Sequence, residues 1–180
     1  LLVNGELITD VSAYKFVIET HTTSGVDGVL LGVPVTDSET YTTLIAEYGL
    51  VRDVLLPPES AKSSIAYGGI SILPVNILDY LTEGIDLSLA LKRVVHSKKI
   101  VQAVWSKLWV LIQYPWDILT ANRLLLNELK VRRISVSAKV APSAVIEGPV
   151  IIEDDAMIDH NAVIKGPAYI GPRTLIGMSA

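Results

Sequence analysis

The sequence contains no cysteine, which excludes a disulfide framework, a thiolate metal site and a cysteine nucleophile. Charge is also scarce: 19% of the 180 residues are Asp, Glu, Lys or Arg, and the net charge is −4. That balance carries no basic footprint for nucleic acid. No apolar run reaches the roughly 18 residues of a membrane span; the longest, such as residues 29–35, are strand-sized. Glu6 and Asp10 interrupt the first apolar stretch, so no cleavable leader is visible. Apolar residues, by contrast, make up 50% of the chain and mean hydropathy is +0.45, too hydrophobic for disorder. The expectation is one or two domains of a mildly acidic, cytoplasmic protein that binds neither nucleic acid nor membrane. So high an apolar fraction also implies burial against a partner.

Residues 1–129 mix strand-like runs with helical patterns. Leu1, Leu2 and Val3 read as a strand closed by Asn4 and Gly5, and Asp10 is placed to cap a helix running to about residue 20. The glycines from 25 to 28 break that helix. The continuous run at 29–35 fits a strand covered on both faces, and 70–73 and 100–105 are further strand candidates. Helices are expected at 74–81, with Pro74 in the first turn, at 86–95, and at 115–129. Strands alternating with helices argue for an α/β layer.

Residues 134–180 follow a different rule. An aliphatic residue returns at every sixth position: Ile134, Val140, Ile146, Ile152, Ile158, Ile164, Ile170 and Ile176. Four residues after each stands Ala138, Ala144, Val150, Ala156, Ala162, Ala168, Thr174 or Ala180. A six-residue period is the signature of a parallel β-helix, with the aliphatic side chain inside and the small one near a corner. The competing arrangement, an antiparallel sheet of evenly spaced hairpins, does not keep phase at six. At roughly 18 residues per coil the stretch makes fewer than three coils, and such a solenoid needs its ends covered. Leu1 begins inside a strand pattern and Ala180 stops in phase, so the expectation is a fragment or an assembly with another chain.

Three segments then carry a resemblance. Leu2-Val3-Asn4-Gly5-Glu6 resembles a strand ending in Asn-Gly-Asp, Pro58-Glu59-Ser60 with Gly68-Gly69-Ile70 resembles a loop and strand whose glycine backbone approaches a sugar, and residues 109–119 resemble Trp-x-Asp-Ile-Gly-x-Pro-Trp-Asp-Leu-Leu. In this order, followed by hexapeptide coils, they resemble the nucleoside-diphosphate-sugar pyrophosphorylases, the sugar-1-phosphate nucleotidylyltransferases. The resemblance implies the latter half of a Rossmann-like nucleotidyltransferase layer at 1–129, a linker at 130–133, and the start of a left-handed parallel β-helix at 134–180. The family's N-terminal glycine-rich loop has no counterpart here. The implied ligands are a sugar phosphate or nucleotide sugar, the implied cofactor is Mg²⁺ if the chain is active and none otherwise, and the β-helix implies a homo- or hetero-oligomer. The substrate-binding residues it implies are Asn4, Gly5, Gly68 and Gly69, with Glu6 as the metal ligand.

The departures from the family pattern point away from catalysis. In-line attack of a sugar phosphate on the α-phosphate of a nucleoside triphosphate, releasing pyrophosphate, relies on Mg²⁺ and cations around the transition state. Glu6 replaces the first metal-binding aspartate; Leu111 stands at the second and offers no ligand. Leu55 and Leu56 align with a glutamate and a phosphate-binding lysine, Tyr67 or Gly68 with an asparagine, and Gln113 with a glycine. The expected protein is a degenerate member acting as a sugar-nucleotide-binding, regulatory or assembly subunit, with no confident catalytic residue. The alternatives are an active Mg²⁺-dependent nucleotidylyltransferase of which this is a C-terminal portion, and an acyltransferase formed between coils.

The remaining polar residues have plainer readings. His21, His96 and His160 lack metal-site spacing; His160 could be a general base on a coil, against a simple polar corner. Glu153, Asp154 and Asp155 read as an exposed acidic corner. Lys98 and Lys99 are a short basic pair, and Arg132 and Arg133 are placed to compensate a helix C-terminus. Ser63, Ser64 and Ser88 have no histidine at nucleophile spacing. Trp105, Trp109 and Trp116, with Tyr114, are expected to pack a seam between domains.

Overall fold

The computed structural model describes every residue except 98 and 107, so Lys98 lies outside the described residues. The chain divides into two compact units, Leu1–Gln113 and Tyr114–Ala180.

In the first unit the order is β1 (Leu2–Val3), β2 (Leu7–Thr9), α1 (Val11–Ser24), β3 (Gly28–Pro34), β4 (Thr43–Glu47), β5 (Leu50–Leu55), β6 (Ile65–Ile72), α2 (Ile77–Thr82), α3 (Leu87–His96), β7 (Val101–Trp105) and β8 (Trp109–Leu111). Six strands form a sheet in the order β1-β6-β3-β7-β5-β4. Only β3 and β7 run parallel within it. The apolar run of β3 is explained by cover on both faces. Val29 and Leu31 pack with Ala13 and Val17 of α1, while Leu30 faces the other way, into a core with Leu91 and Val94 of α3. A separate antiparallel ribbon pairs β2 with β8, Leu7 opposite Leu111.

The helix ends follow the capping chemistry. The Asp10 side chain accepts from the Ala13 amide, and Gly25 closes α1 in the left-handed conformation at φ 63°. Pro74 is not in the first turn of α2: the helix starts at Ile77, whose amide donates to the Pro74 carbonyl. Four strands were not expected at all, the ribbon pair β2 and β8 and the pair β4 and β5. Strands β4 and β5 form a hairpin closed by Tyr48 and Gly49, both with positive φ (53° and 78°), the backbone twist that two-residue hairpins favour.

The second unit opens with α4 (Asp117–Asn127), shorter at both ends than expected. Asp117 accepts the Tyr114 amide at 2.8 Å ahead of it. Eight short strands follow: β9 (Arg133–Ile134), β10 (Lys139–Val140), β11 (Val145–Glu147), β12 (Val150–Ile152), β13 (Met157–Ile158), β14 (Val163–Lys165), β15 (Ala168–Ile170) and β16 (Leu175–Ile176). They pair in parallel in three ladders, β9-β12-β15, β10-β13-β16 and β11-β14. Every partner stands one coil onward, as Val140 does with Ile158 and Ile158 with Ile176. Hairpins are therefore excluded. Val150, Ile152, Ala156, Ile158, Ala162 and Ile164 form the buried core, and the end coils add partly buried Val140, Ile146 and Ile170.

The corners show why six residues repeat. Asp155, Asn161, Arg173 and Ser179 all take positive φ (56° to 59°), one residue before a small side chain. The corner amides of Asp155 and Asn161 are received by the hydroxyls of Ser137 (3.0 Å) and Ser143 (3.1 Å) on the preceding coil. A left-handed corner thus leaves its donor satisfied by the coil beneath.

Candidate functional site

Gly69 has φ +78°, and a Cβ there would lie 3.0 Å from the Asn4 Cβ. Glycine is required on both counts. The Asn4 amide donates to the Gly69 carbonyl at 2.8 Å, which ties the end of β1 to β6. One residue earlier, the Gly68 carbonyl accepts the Trp109 indole Nε1–H at 3.0 Å. Trp109 in turn meets Tyr41 edge-on, with centroids 5.5 Å apart and planes at 73°. Leu111 and Gln113 continue the same wall, and together these residues bound a cavity of about 300 Å³.

The opposite wall comes from the loop before β4 and the start of α3. Thr42 Oγ1 donates to Ser88 Oγ at 2.7 Å, and Asp86 caps α3 by accepting the Ser88 amide at 2.8 Å. Tyr67 also faces the cavity; its hydroxyl bonds Ser71 Oγ at 2.9 Å. Burial pushes the Tyr67 phenol up to about 12, against the opposing effect of the Ser71 hydrogen bond. The phenol therefore stays neutral across ordinary pH.

Of the expected binding residues, Asn4, Gly68 and Gly69 meet in this cavity, as do Leu111 and Gln113. Gly5 and Glu6 are exposed and outside its wall. The Glu6 amide donates to Asn4 Oδ1 at 2.9 Å, and its carbonyl accepts the Ile112 amide. Leu55 is buried in β5, and neither it nor Leu56 lines the cavity. The donor set does not fit Mg²⁺, which takes several oxygen ligands in a near-octahedral shell. Leu111 supplies none, Glu6 lies elsewhere, and among the described residues no group of three or more His, Asp or Glu is arranged to hold a metal ion. Tyr41, Thr42, Asp86 and Ser88 were missed as wall residues; Asp86 reads in the sequence only as the start of the helix at 86–95, and no local signal marks the others.

The other candidates fall into ordinary roles. His96 Nε2 lies 2.9 Å from Asp53, which Lys92 also approaches at 3.5 Å. His160 Nδ1 bonds Ser143 Oγ at 2.9 Å beside a groove of about 540 Å³ along the β10-β13-β16 face. Arg133 pairs with Glu153 at 2.6 Å instead of compensating α4, whose last turn carries no basic residue. Ser135 bonds Asp154, so the acidic corner is held within the coils. Lys99 pairs with Asp27 at 3.5 Å, and Ser63 donates to the Leu44 carbonyl. Tyr114 and Trp116 stack on each other at 4.8 Å, and Trp105 closes over Gly32. No helix among the described residues is long and apolar enough to cross a membrane.

The chain is 26% identical over 168 residues to the bifunctional protein GlmU of Methanocaldococcus jannaschii, an alignment covering 87% of this chain and 38% of that protein. Its fold matches a chain described as a glucose-1-phosphate thymidylyltransferase of Bacillus anthracis, solved in complex with sucrose. The TM-score is 0.59 at 17% identity, over 68% of this chain and 52% of that one. The chain is similar in sequence and fold to sugar-1-phosphate nucleotidyltransferases. A second bifunctional protein GlmU, from Methanococcus maripaludis, is 33% identical over 105 residues, 54% of this chain and 25% of its own length. The chain therefore spans well under half the length of the curated proteins it matches. No protein-family model matches it.

Proposed function

We propose that this chain is a nucleotidyltransferase relative that has lost nucleotidyl transfer and serves as a cytoplasmic, sugar-nucleotide-binding subunit with a regulatory or assembly role. In this reading residues 1–129 are the ligand-binding region, 130–133 a linker, and 134–180 the start of a left-handed parallel β-helix through which the subunit joins a homo- or hetero-oligomer. The carrying observation is Leu111, which stands in the cavity wall with Asn4, Gly68 and Gly69. The parts that would cradle a sugar are together, while the position expected to bring metal charge to the phosphate is aliphatic. Without a metal cation to offset charge on the α-phosphate under attack and on the departing pyrophosphate, the largest electrostatic contribution to such a reaction is missing. The sucrose of the thymidylyltransferase neighbour agrees with a sugar in this fold. The parallel one-coil register supports the β-helix, and its exposed Met157 and Leu175 support association.

A coupled assay of pyrophosphate release tests the reading, using the full chain, Mg²⁺, several nucleoside triphosphates and several sugar 1-phosphates. Turnover no greater than the no-protein control is expected. Release above that control would establish instead an active nucleotidyltransferase, in which Glu6 would carry the metal. The alignment over 87% of the chain to a bifunctional protein GlmU favours that second reading. Light scattering tests association: a stable monomer would remove the assembly role.

A further inference from the structure

Asparagine is followed by glycine once in the sequence, at Asn4-Gly5; the other four asparagines precede Ile77, Arg123, Glu128 and Ala162. After each of those four, the next amide is held by the fold. Ile77 donates to the Pro74 carbonyl at 3.1 Å, Glu128 to that of Leu125 at 3.2 Å and Ala162 to that of Asp159 at 3.4 Å, while Arg123 lies inside α4. Gly5 instead lies in an exposed turn between β1 and β2.

Asn4 is exposed as well, yet its side chain is oriented. Its Oδ1 accepts the Glu6 amide at 2.9 Å, an Asx turn that curls the carboxamide over the intervening Gly5 nitrogen. The donor also polarises the carboxamide carbonyl, the group that a nucleophile attacks. A Cβ at Gly5 would meet nothing within 4 Å, so the backbone there has room to turn toward Asn4.

We propose that Asn4 is a self-modifying site, at which the Gly5 nitrogen closes on the Asn4 side chain and water completes its conversion to an acid. The Gly5 amide gives its proton to hydroxide and bonds to Asn4 Cγ. The Cγ–Nδ2 bond breaks, Nδ2 takes up a proton and leaves as ammonia, and a five-membered succinimide remains. Water then adds to one of the two ring carbonyls. The ring opens to an aspartyl residue, or to an isoaspartyl residue whose main chain runs through Cβ. One water is consumed and one ammonia released, and nothing is oxidised or reduced.

Both products place a negative charge at the end of β1. The isoaspartyl product also adds a methylene to the main chain between two anchors: the residue-4 amide on the Gly69 carbonyl, and the Glu6 carbonyl on the Ile112 amide, each at 2.8 Å. One of these anchors must slacken to take up the added length. The modification is therefore felt where β1 hands over to the β2–β8 ribbon.

Warm incubation of the full chain at mildly alkaline pH, followed by tryptic mapping, tests this. The peptide ending at Lys15 should gain the mass of an amide-to-acid conversion at residue 4, split into aspartyl and isoaspartyl forms. The rate should rise with pH and stay within severalfold of that in a free peptide of residues 1–15, with the other four asparagines unchanged. Gly5→Ala, which has space for its Cβ, should slow the conversion roughly tenfold. In isoaspartyl-enriched chain, hydrogen exchange at the residue-4 and Ile112 amides should outpace that in Asn4→Asp, which adds the charge alone. Conversion far slower than in the free peptide, or spread over the other asparagines, overturns the site. An aspartyl product with no isoaspartyl form, or an unchanged rate in Gly5→Ala, overturns the ring-closing step. Equal exchange in the two forms overturns the slackened anchor.

Discussion

Trp109 donates its indole N–H to the carbonyl of Gly68 at 3.0 Å, across 41 residues of sequence. That bond joins β8 to β6 where the backbone has no side chain to spare, and it fixes the ring that walls the cavity. A glycine pair and a tryptophan thus form one unit, although neither packs in the two main cores.

Trp109→Phe keeps the aromatic edge toward Tyr41 and removes the donor. Loss of this hydrogen bond is expected to cost about 1–2 kcal/mol. A shift in the urea midpoint measures it, accompanied by severalfold weaker sugar binding.

Gly69→Ala and Gly5→Ala separate conformational need from mere sequence pattern. At Gly69 the positive φ and the 3.0 Å approach to Asn4 predict a loss of about 1–3 kcal/mol. At Gly5 a Cβ meets nothing within 4 Å, and the change should stay within about 0.5 kcal/mol. Chemical denaturation of the two variants, side by side, gives the comparison.

Alkaline stability depends on Tyr67. Its phenol holds its proton to about pH 12 in the folded chain, against 10.0 when exposed. The stabilisation is therefore complete below pH 10 and lost as pH rises toward 12. Tyr67→Phe should flatten the fall in thermal midpoint over that window. At the acid end the signs reverse. The Ser12 hydroxyl holds the Asp10 carboxyl below its usual 3.8, and the Ile100 amide does so for Asp27. Their contributions are present above pH 3.8 and lost as pH falls below it.

In the coils, Ser143→Ala removes the acceptor of the Asn161 amide and the partner of His160, for an expected loss of about 1 kcal/mol. Ala162→Leu forces bulk into a site with no exposure and should cost about 1–3 kcal/mol. Thermal melts followed by circular dichroism distinguish the two.

The coils were legible because their physics is periodic: an inward aliphatic residue and a small corner residue recur in phase, and the parallel ladders follow. The run in β3 was legible for a similar reason, since a strand covered on both faces has no polar side. The β4–β5 hairpin was not. Its turn is Tyr48-Gly49, and tyrosine carries little of the turn signal that asparagine or aspartate gives at that place. Half of the site could be read from Asn4, Gly68, Gly69 and Leu111. The other half, Thr42, Asp86 and Ser88, consists of common residues that only the tertiary fold brings opposite them. Arg133 shows the converse failure: its nearness in sequence to a helix end suggested one role, and Glu153, one coil away, supplied another.

Ser137 and Ser143 each reach a corner amide 18 residues ahead, and this restricts how the segment can change length. Removing one residue turns the aliphatic row to face water. Removing six restores that row yet rotates each serine to a different edge, away from the donor it serves. A whole turn is the smallest piece that can be added or deleted with both relationships intact, so length variation between natural variants should come in steps of one complete circuit.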